Sequence, residues 1–395
     1  MAFRIAQRNS QAEDLKNARQ ILEDQTGIKS NTIPSMNITD VEACPSTGTF
    51  AGLSLGHFGE NSFIIERRRR LTSLSVEQDQ ELLMVSKLFT LSHENLTKYI
   101  GYNTYIHSHT LYSTHYPFQL DKIMRVRNIF TEVALQYITH SIFNVIQFLR
   151  DNDFQCSVFS EANIYFTEQG IFKLIAYWQD VEQSESCLSN STYVVCSPES
   201  LGISHPIMSS PVWSGGLIMR KMMNRGMSAF SKKKNMMEAI TAVIYEPLQD
   251  CIDTYFEEAL ALSYWCTEKA VKLKGIHLGK IYNTNELYPI ASIEKEGRFS
   301  FAICENGTRV RLRATVHKML EQPWVIAGRH ITEEYTQWFG RAIRAHRQVV
   351  AARAEYIKLT TTMRKDRALE MFEKSEDGKC YFFGDFEISY FDFTD

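Results

Sequence analysis

The spacing of apolar positions changes character several times along this chain. Residues 1–45 are polar and mixed in charge, with a short helical pattern over 11–24 and a proline-containing coil behind it. From 47 to 65 short apolar runs alternate with polar positions and are broken by glycine and asparagine, as in TGTFAGLSLGHFGENSFII. That period of two predicts two or three antiparallel strands. Over 76–90 the period lengthens, placing Leu82, Val85, Leu88 and Phe89 on one face of a predicted helix. More short strands are predicted over 99–116. Beyond residue 130 helices dominate, beginning with 131–150, whose stripe includes Val133, Leu135, Ile138, Phe143, Val145, Ile146 and Leu149. The stretch 269–307 reads as an irregular insertion. Residues 331–374 are rich in Arg, Ala and Glu and predict a long charged helix. An aromatic run, YFFGDFEISYFDFTD, closes the chain.

Strands with one helix, followed mainly by helices, predict an α+β protein of two unlike lobes. Composition narrows the class. Of 395 residues 44% are apolar and 23% charged, which excludes a fibre and a wholly disordered chain. The formal charge of −3, from 43 basic and 46 acidic side chains, gives no general attraction to nucleic acid or anionic lipid. Eight cysteines are scattered without a C-x-x-C pair, so neither a zinc site nor a disulfide framework is indicated. The first 30 residues lack the apolar run of a signal peptide, and no stretch reaches the roughly 18–20 apolar residues that span a bilayer. The expectation is a cytoplasmic protein, with the nucleus as a second compartment and the sequons at Asn37, Asn95, Asn190 and Asn306 unused. The basic run Arg67 to Arg70 reads as a solvated strand end. His107, His109 and His115 read as surface and core residues, since a metal site needs a fourth partner and an inward face. Met219, Met222, Met223, Met227 and Met236 suit either a core or an adaptable partner surface.

Several local signals follow one another in the order found in protein kinases. SHENLTKYIGY at 92–102 resembles the segment in which the small-lobe helix gives way to the fourth strand. FQCSVFSEANIYFTEQGIFKL at 154–174 resembles the catalytic loop and the hairpin after it. Cys196-Ser197-Pro198-Glu199 resembles the A-P-E that ends an activation segment. Pro211-Val212-Trp213-Ser214-Gly215-Gly216 is similar to the D-V-W-S-x-G of the central helix, and RVRLRATVHKMLEQPW at 309–324 to the closing R-P-T-x-x-x-L-L-x-x-P-W. The resemblance implies a bilobal kinase-like domain over 46–325, with a small lobe at 46–118 and a large lobe at 119–325. The 269–307 insertion falls within the large lobe, and an extension follows at 326–395.

Phosphoryl transfer needs a glycine loop, a lysine paired with a helix glutamate, an aspartate base and metal ligands. Placed on that pattern, the glycine loop keeps only Gly48, and the lysine position falls on Arg67 or Arg68. Arginine is longer and planar, a poor substitute for a point-charge ammonium. Glu81 stands for the helix glutamate. The H-R-D triplet reads Cys156-Ser157-Val158, so the base has become a valine. Asn163 stands where the metal-binding asparagine belongs, and the D-F-G triplet reads Ala176-Tyr177-Trp178. The pattern implies a pseudokinase, not an enzyme, with no cofactor. ATP is the alternative ligand, held by Gly48, Arg67 or Arg68, Glu81 and Asn163.

Within the superfamily, QELLMVSKLF at 80–89, the decayed triplets and Ser197-Pro198-Glu199 resemble the STE20-related adaptor (STRAD) family. That family ends in W-E-F, and here Phe391-Asp392-Phe393 keeps aromatic, acid, aromatic, followed by Thr394 and Asp395. The resemblance implies an adaptor that activates a serine/threonine kinase of the liver kinase B type. Its terminal aromatics would dock on a helical-repeat scaffold of the mouse-protein-25 family, in polarity and AMP-activated-type kinase signalling. No nucleic-acid partner and no membrane insertion are implied. Two alternatives stand beside it. One is a divergent kinase with Asp151 or Asp153 as base and Asp180 or Glu182 on the metal; the other is a pseudokinase scaffold in another pathway, such as trafficking.

Overall fold

A computed structural model describes residues 42–43, 52–58, 61–69, 87–104, 108–154, 156, 159–176, 210–223, 257–267, 290–304, 309–374 and 380–389. The period-two segments form β1 (Glu42–Ala43), β2 (Gly52–Phe58), β3 (Asn61–Arg69), β4 (Tyr99–Thr104) and β5 (Ser108–Thr114). They make one antiparallel sheet in the order β1-β2-β3-β5-β4. Residues 87–90 are helical and lie between β3 and β4 in the chain. The rest of the helix expected over 76–90 lies outside the described residues.

The chain then runs through β6 (Phe118–Gln119) and α1 (Leu120–Met124) to α2 (Glu132–Asp151), the helix expected over 131–150. Thr131 caps α2 by accepting from the Ala134 N–H, so it sits just outside the helix. The helix is buried on the stripe read from the sequence, with Ile138, Ile142, Phe143, Val145 and Leu149 each at 0–1% exposure. A 3₁₀ turn, Glu161–Asn163, leads into β7 (Ile164–Phe166) and β8 (Phe172–Leu174), which pair with β6 as a second small sheet. α3 (Ser210–Met223) packs against α4 (Glu257–Cys266). Met219, Met222 and Met223 lie buried in the core, the plainer of their two readings.

Within the stretch expected to be irregular the structure has β9 (Ile290–Glu296) and β10 (Phe299–Cys304), which pair with β11 (Arg309–Arg311) in a third antiparallel sheet. Glu296 faces Phe299 across a two-residue turn, and Gly297 supplies the positive φ of 57° that such a turn needs.

α5 (Val316–Leu320), α6 (Pro323–Ala327), α7 (Glu333–Thr362) and α8 (Lys365–Glu370) follow, and the hairpin β12 (Cys380–Phe383) with β13 (Phe386–Ser389) ends the described chain. The helix expected over 331–374 is therefore two. It breaks at Met363, where φ −143° and ψ 168° are extended. Three consecutive threonines precede the break, and each hydroxyl, at 360, 361 and 362, donates to the carbonyl three residues back. β-branched side chains with competing hydroxyls weaken a helix at that point.

The amino-terminal half of α7 is core and not an appendage. Tyr335, Trp338 and Phe339 are all under 5% exposed; Trp338 and Phe339 pack on Phe166, Tyr335 on Tyr137, and Phe339 also meets Phe118. Each such ring contributes about 1.5–3 kcal/mol by leaving water. The protein is thus α+β, with small antiparallel sheets and a mainly helical remainder. Among the described residues no helix is long and apolar enough to cross a membrane.

Candidate functional site

Two of the expected site residues, Asn163 and Ala176, lie where the five-stranded sheet meets β7, β8 and the turn before them. Two backbone and two side-chain ties make that junction. The Leu174 N–H donates to the Asn95 carbonyl at 2.8 Å, and the Thr97 N–H donates to Leu174 at 2.9 Å. Tyr99, at the start of β4, donates its hydroxyl to the Ala176 carbonyl at 2.8 Å. Asn95, only 6% exposed, donates its side-chain amide to the Phe172 carbonyl at 3.3 Å. Behind it, the His93 Nδ1 accepts from the Asn95 N–H at 3.0 Å, and Nε2 lies 3.3 Å from the Asn144 amide on α2. Burial of the His93 ring holds its pKa below the usual imidazole value, with Lys173 adding to the shift and Glu94 opposing it.

The loop between α2 and β7 is anchored from below. The Phe159 N–H donates to the Ser214 hydroxyl of α3 at 3.3 Å. Ser160 then caps the 3₁₀ turn: its hydroxyl accepts from the Ala162 N–H, while its own N–H donates to Asn163 Oδ1 at 2.8 Å. This reciprocal capping box is closed by a side chain that is 1% exposed. The Asn163 Nδ2 group is buried and, among the described residues, has no hydrogen-bond partner. Glu161, on the same turn, forms an ion pair with Lys221 of α3.

Beside the turn Asp121 is buried between charges, 3.2 Å from Arg125 and 3.6 Å from Lys122. Burial pushes its carboxyl up, but the two cations outweigh burial and hold it below the usual carboxylate range. The sequence marks none of Asp121, Tyr99 or His93 as a site residue, and marks Asn95 only as a sequon. Single polar residues inside apolar runs carry no periodic signal; only contact across the chain gives them a role.

Each expected site residue can now be placed. Cys156 is buried, and Ala176 is fully buried; Ser157, Val158, Tyr177 and Trp178 lie outside the described residues. Arg67 and Arg68 stand on β3, opposite Thr110 and His109 of β5, with Gly52 across from Arg67 on β2. Gly48, Glu81, Phe391, Asp392 and Phe393 lie outside the described residues, as do Asp180 and Glu182. Asp151 ends α2 exposed, accepting from Gln147 at 2.6 Å, and Asp153 follows at a positive φ of 54°.

No model of a known protein family matches this chain, and no curated protein matches it either. The site therefore rests on its own geometry. Among the described residues no group of three His, Cys, Asp or Glu side chains is placed to hold a metal ion. The ties from Asn95, Thr97 and Tyr99 to residues 172–176 join the sheet to the hairpin, and the Ser160–Asn163 pair closes the turn beneath it.

Proposed function

We propose that this chain is a catalytically inactive protein-kinase-like protein that acts by contact, as an adaptor. The sheet order β1-β2-β3-β5-β4, with helix between β3 and β4, supports a kinase-like small lobe. Further support comes from the turn-and-hairpin unit after α2 and from Arg313-Ala314-Thr315, where Thr315 caps α5 as the closing motif requires.

The observation that carries the reading is the direction of Asn163. A magnesium ion needs oxygen ligands. The Asn163 oxygen is taken up by the Ser160 N–H, and the atoms it leaves free are amide donors, which repel a cation. At the other ligand position stands Ala176, whose side chain offers no oxygen and whose carbonyl already accepts from Tyr99. These residues do not fit a magnesium–nucleotide complex. In the sequence the glycine loop that normally covers a phosphate keeps only Gly48.

An adaptor of this kind holds a true serine/threonine kinase, of the liver kinase B type on the resemblance above, in its active conformer. A helical-repeat scaffold of the mouse-protein-25 family holds both, through Phe391, Asp392 and Phe393. The shift equals the difference in the adaptor's affinity for the two conformers of its client and no more.

The test is a thermal-shift titration of the pure protein with ATP, with and without magnesium, beside the activity of a co-expressed client kinase. A ligand that binds only the folded state raises its melting temperature. No shift together with client activation is the expected result. A magnesium-dependent shift with autophosphorylation sinks this reading in favour of the enzyme with relocated carboxylates.

A further inference from the structure

A cavity of about 700 Å³ lies on the side of α2 that faces the turn after α6. Its floor is α2, through Tyr137, Ser141 and Asn144, and one wall is the turn bearing Arg329 and His330. Both walls are rigid. The α6 end rests directly on the α2 backbone, since a Cβ on Gly328 would fall 2.1 Å from the Gln136 carbonyl oxygen. At the other end of α6 the Trp324 indole N–H donates to Glu132 of α2 at 2.8 Å. The cavity is thus preformed, within the roughly 300–1,000 Å³ of ordinary ligand sites.

Its lining carries one guanidinium, Arg329, beside the imidazoles of His330 and His140, and Glu94 is the one carboxylate among the lining residues. Among the described residues the Arg329 guanidinium has no ion-pair or hydrogen-bond partner. His140 is half-buried, and its pKa is lowered by that burial first and by Arg329 and His330 next. An anion in the cavity relieves this mutual repulsion. Two aliphatic side chains line the cavity with Arg329: Ile326, 49% exposed, and Ile331, 42% exposed. A lone oxyanion fills only a small part of such a volume and leaves both isoleucines in water.

We propose that this cavity docks a short acidic and aliphatic segment of a partner protein, its carboxylate on Arg329 and the two histidines, its aliphatic side chains on Ile326 and Ile331. Charge complementarity selects the acid, and the paired isoleucines select the aliphatic neighbours. This inference stands apart from the kinase-like reading, since its docking residues come from α2, α6 and the turn between α6 and α7.

The test is fluorescence anisotropy on the full chain with a labelled pentapeptide alternating glutamate and leucine. A lysine–leucine peptide and inorganic phosphate serve as the other arms. The expected result is saturable binding of the acidic peptide, weakened at least tenfold by Arg329→Glu and at least threefold by Ile331→Asp, with the lysine peptide at background. Both substitutions change exposed side chains, and an unchanged melting temperature confirms that each variant is folded. Proton NMR of the His140 ring gives a second reading, its pKa rising when the peptide binds. The proposal is overturned by any of four outcomes: no saturable binding, equal binding of the lysine peptide, undiminished binding by both variants, or Arg329-dependent binding of phosphate with none of the peptide.

Discussion

Tyr335 and Gly170 meet across 165 residues of chain, the tyrosine hydroxyl donating to the glycine carbonyl at 2.7 Å. Gly170 sits at φ +83° in the β7–β8 turn, and a Cβ there would stand 2.9 Å from the Phe339 ring. Two successive turns of α7 thus close on one glycine, which ties the carboxy-terminal helix to the hairpin after the candidate site. Gly170→Ala is expected to cost about 1–3 kcal/mol, from backbone strain and from displacement of Phe339. Tyr335→Phe is expected to cost about 1 kcal/mol, leaving the carbonyl unpaired. Urea unfolding of the two variants checks both values.

Asn163→Ala removes one side of the capping box and is expected to cost about 1–2 kcal/mol of stability. The response of the melting temperature to ATP and magnesium should stay as in the parent. A nucleotide shift present in the parent and lost in the variant would make Asn163 a metal ligand and contradict the adaptor reading.

His346 lies at the edge of Phe118, the ring centroids 5.5 Å apart. Burial first, then Lys122 and Arg347, lower its pKa to about 4 from an unperturbed 6.5. A histidine whose folded pKa is depressed binds its proton more readily when unfolded, so stability falls as pH drops from 6.5 towards 4. The loss is on the order of 3 kcal/mol at most. His346→Gln should flatten the stability profile in that window, measured by denaturant titrations at several pH values. His93 and His140, also lowered, act in the same direction and leave a residual slope.

Gly328→Ala places a methyl against the Gln136 carbonyl, backbone that cannot rotate away. The expected cost is about 3 kcal/mol, with α6 lifted from α2. Differential scanning calorimetry reads the drop, and quenching of the Trp324 fluorescence reports whether α6 has moved.

The aromatic terminus divides into two parts with different expected roles. Ile388 is fully buried in β13, facing Tyr381 of β12, and bridges to Val126. A truncation beginning at 388 therefore strips a core residue along with the tail. Removal of residues 391–395 alone is expected to leave the melting temperature unchanged while abolishing capture of the helical-repeat scaffold. Unchanged capture by a pull-down rules out docking through Phe391 and Phe393.

The sequence determined the elements whose signal is local. The stripe of Ile138, Ile142 and Leu149 specifies α2, and period-two runs broken at turns specify β2 and β3, because a side chain's face follows from its spacing alone. It also determined which residue types stand at 156, 163 and 176, hence which donors the site lacks. Two further local signals specify elements beyond these. Gly297 between two alternating runs marks the β9–β10 turn, and Tyr335, Trp338 and Phe339 at i, i+3 and i+4 mark a buried face inside a helix whose composition reads as solvated.

Only the tertiary structure decided the rest. Whether the Asn163 carboxamide turns to solvent, metal or backbone depends on Ser160 and on the burial around it. That His93, Asn95 and Asn144 form one network, or that Arg329 meets His140 across a cavity, depends on helices packing at distances the chain does not encode in any window. A hydrogen bond or a cavity is a relation between segments, and its energy exists only once the core has brought those segments together.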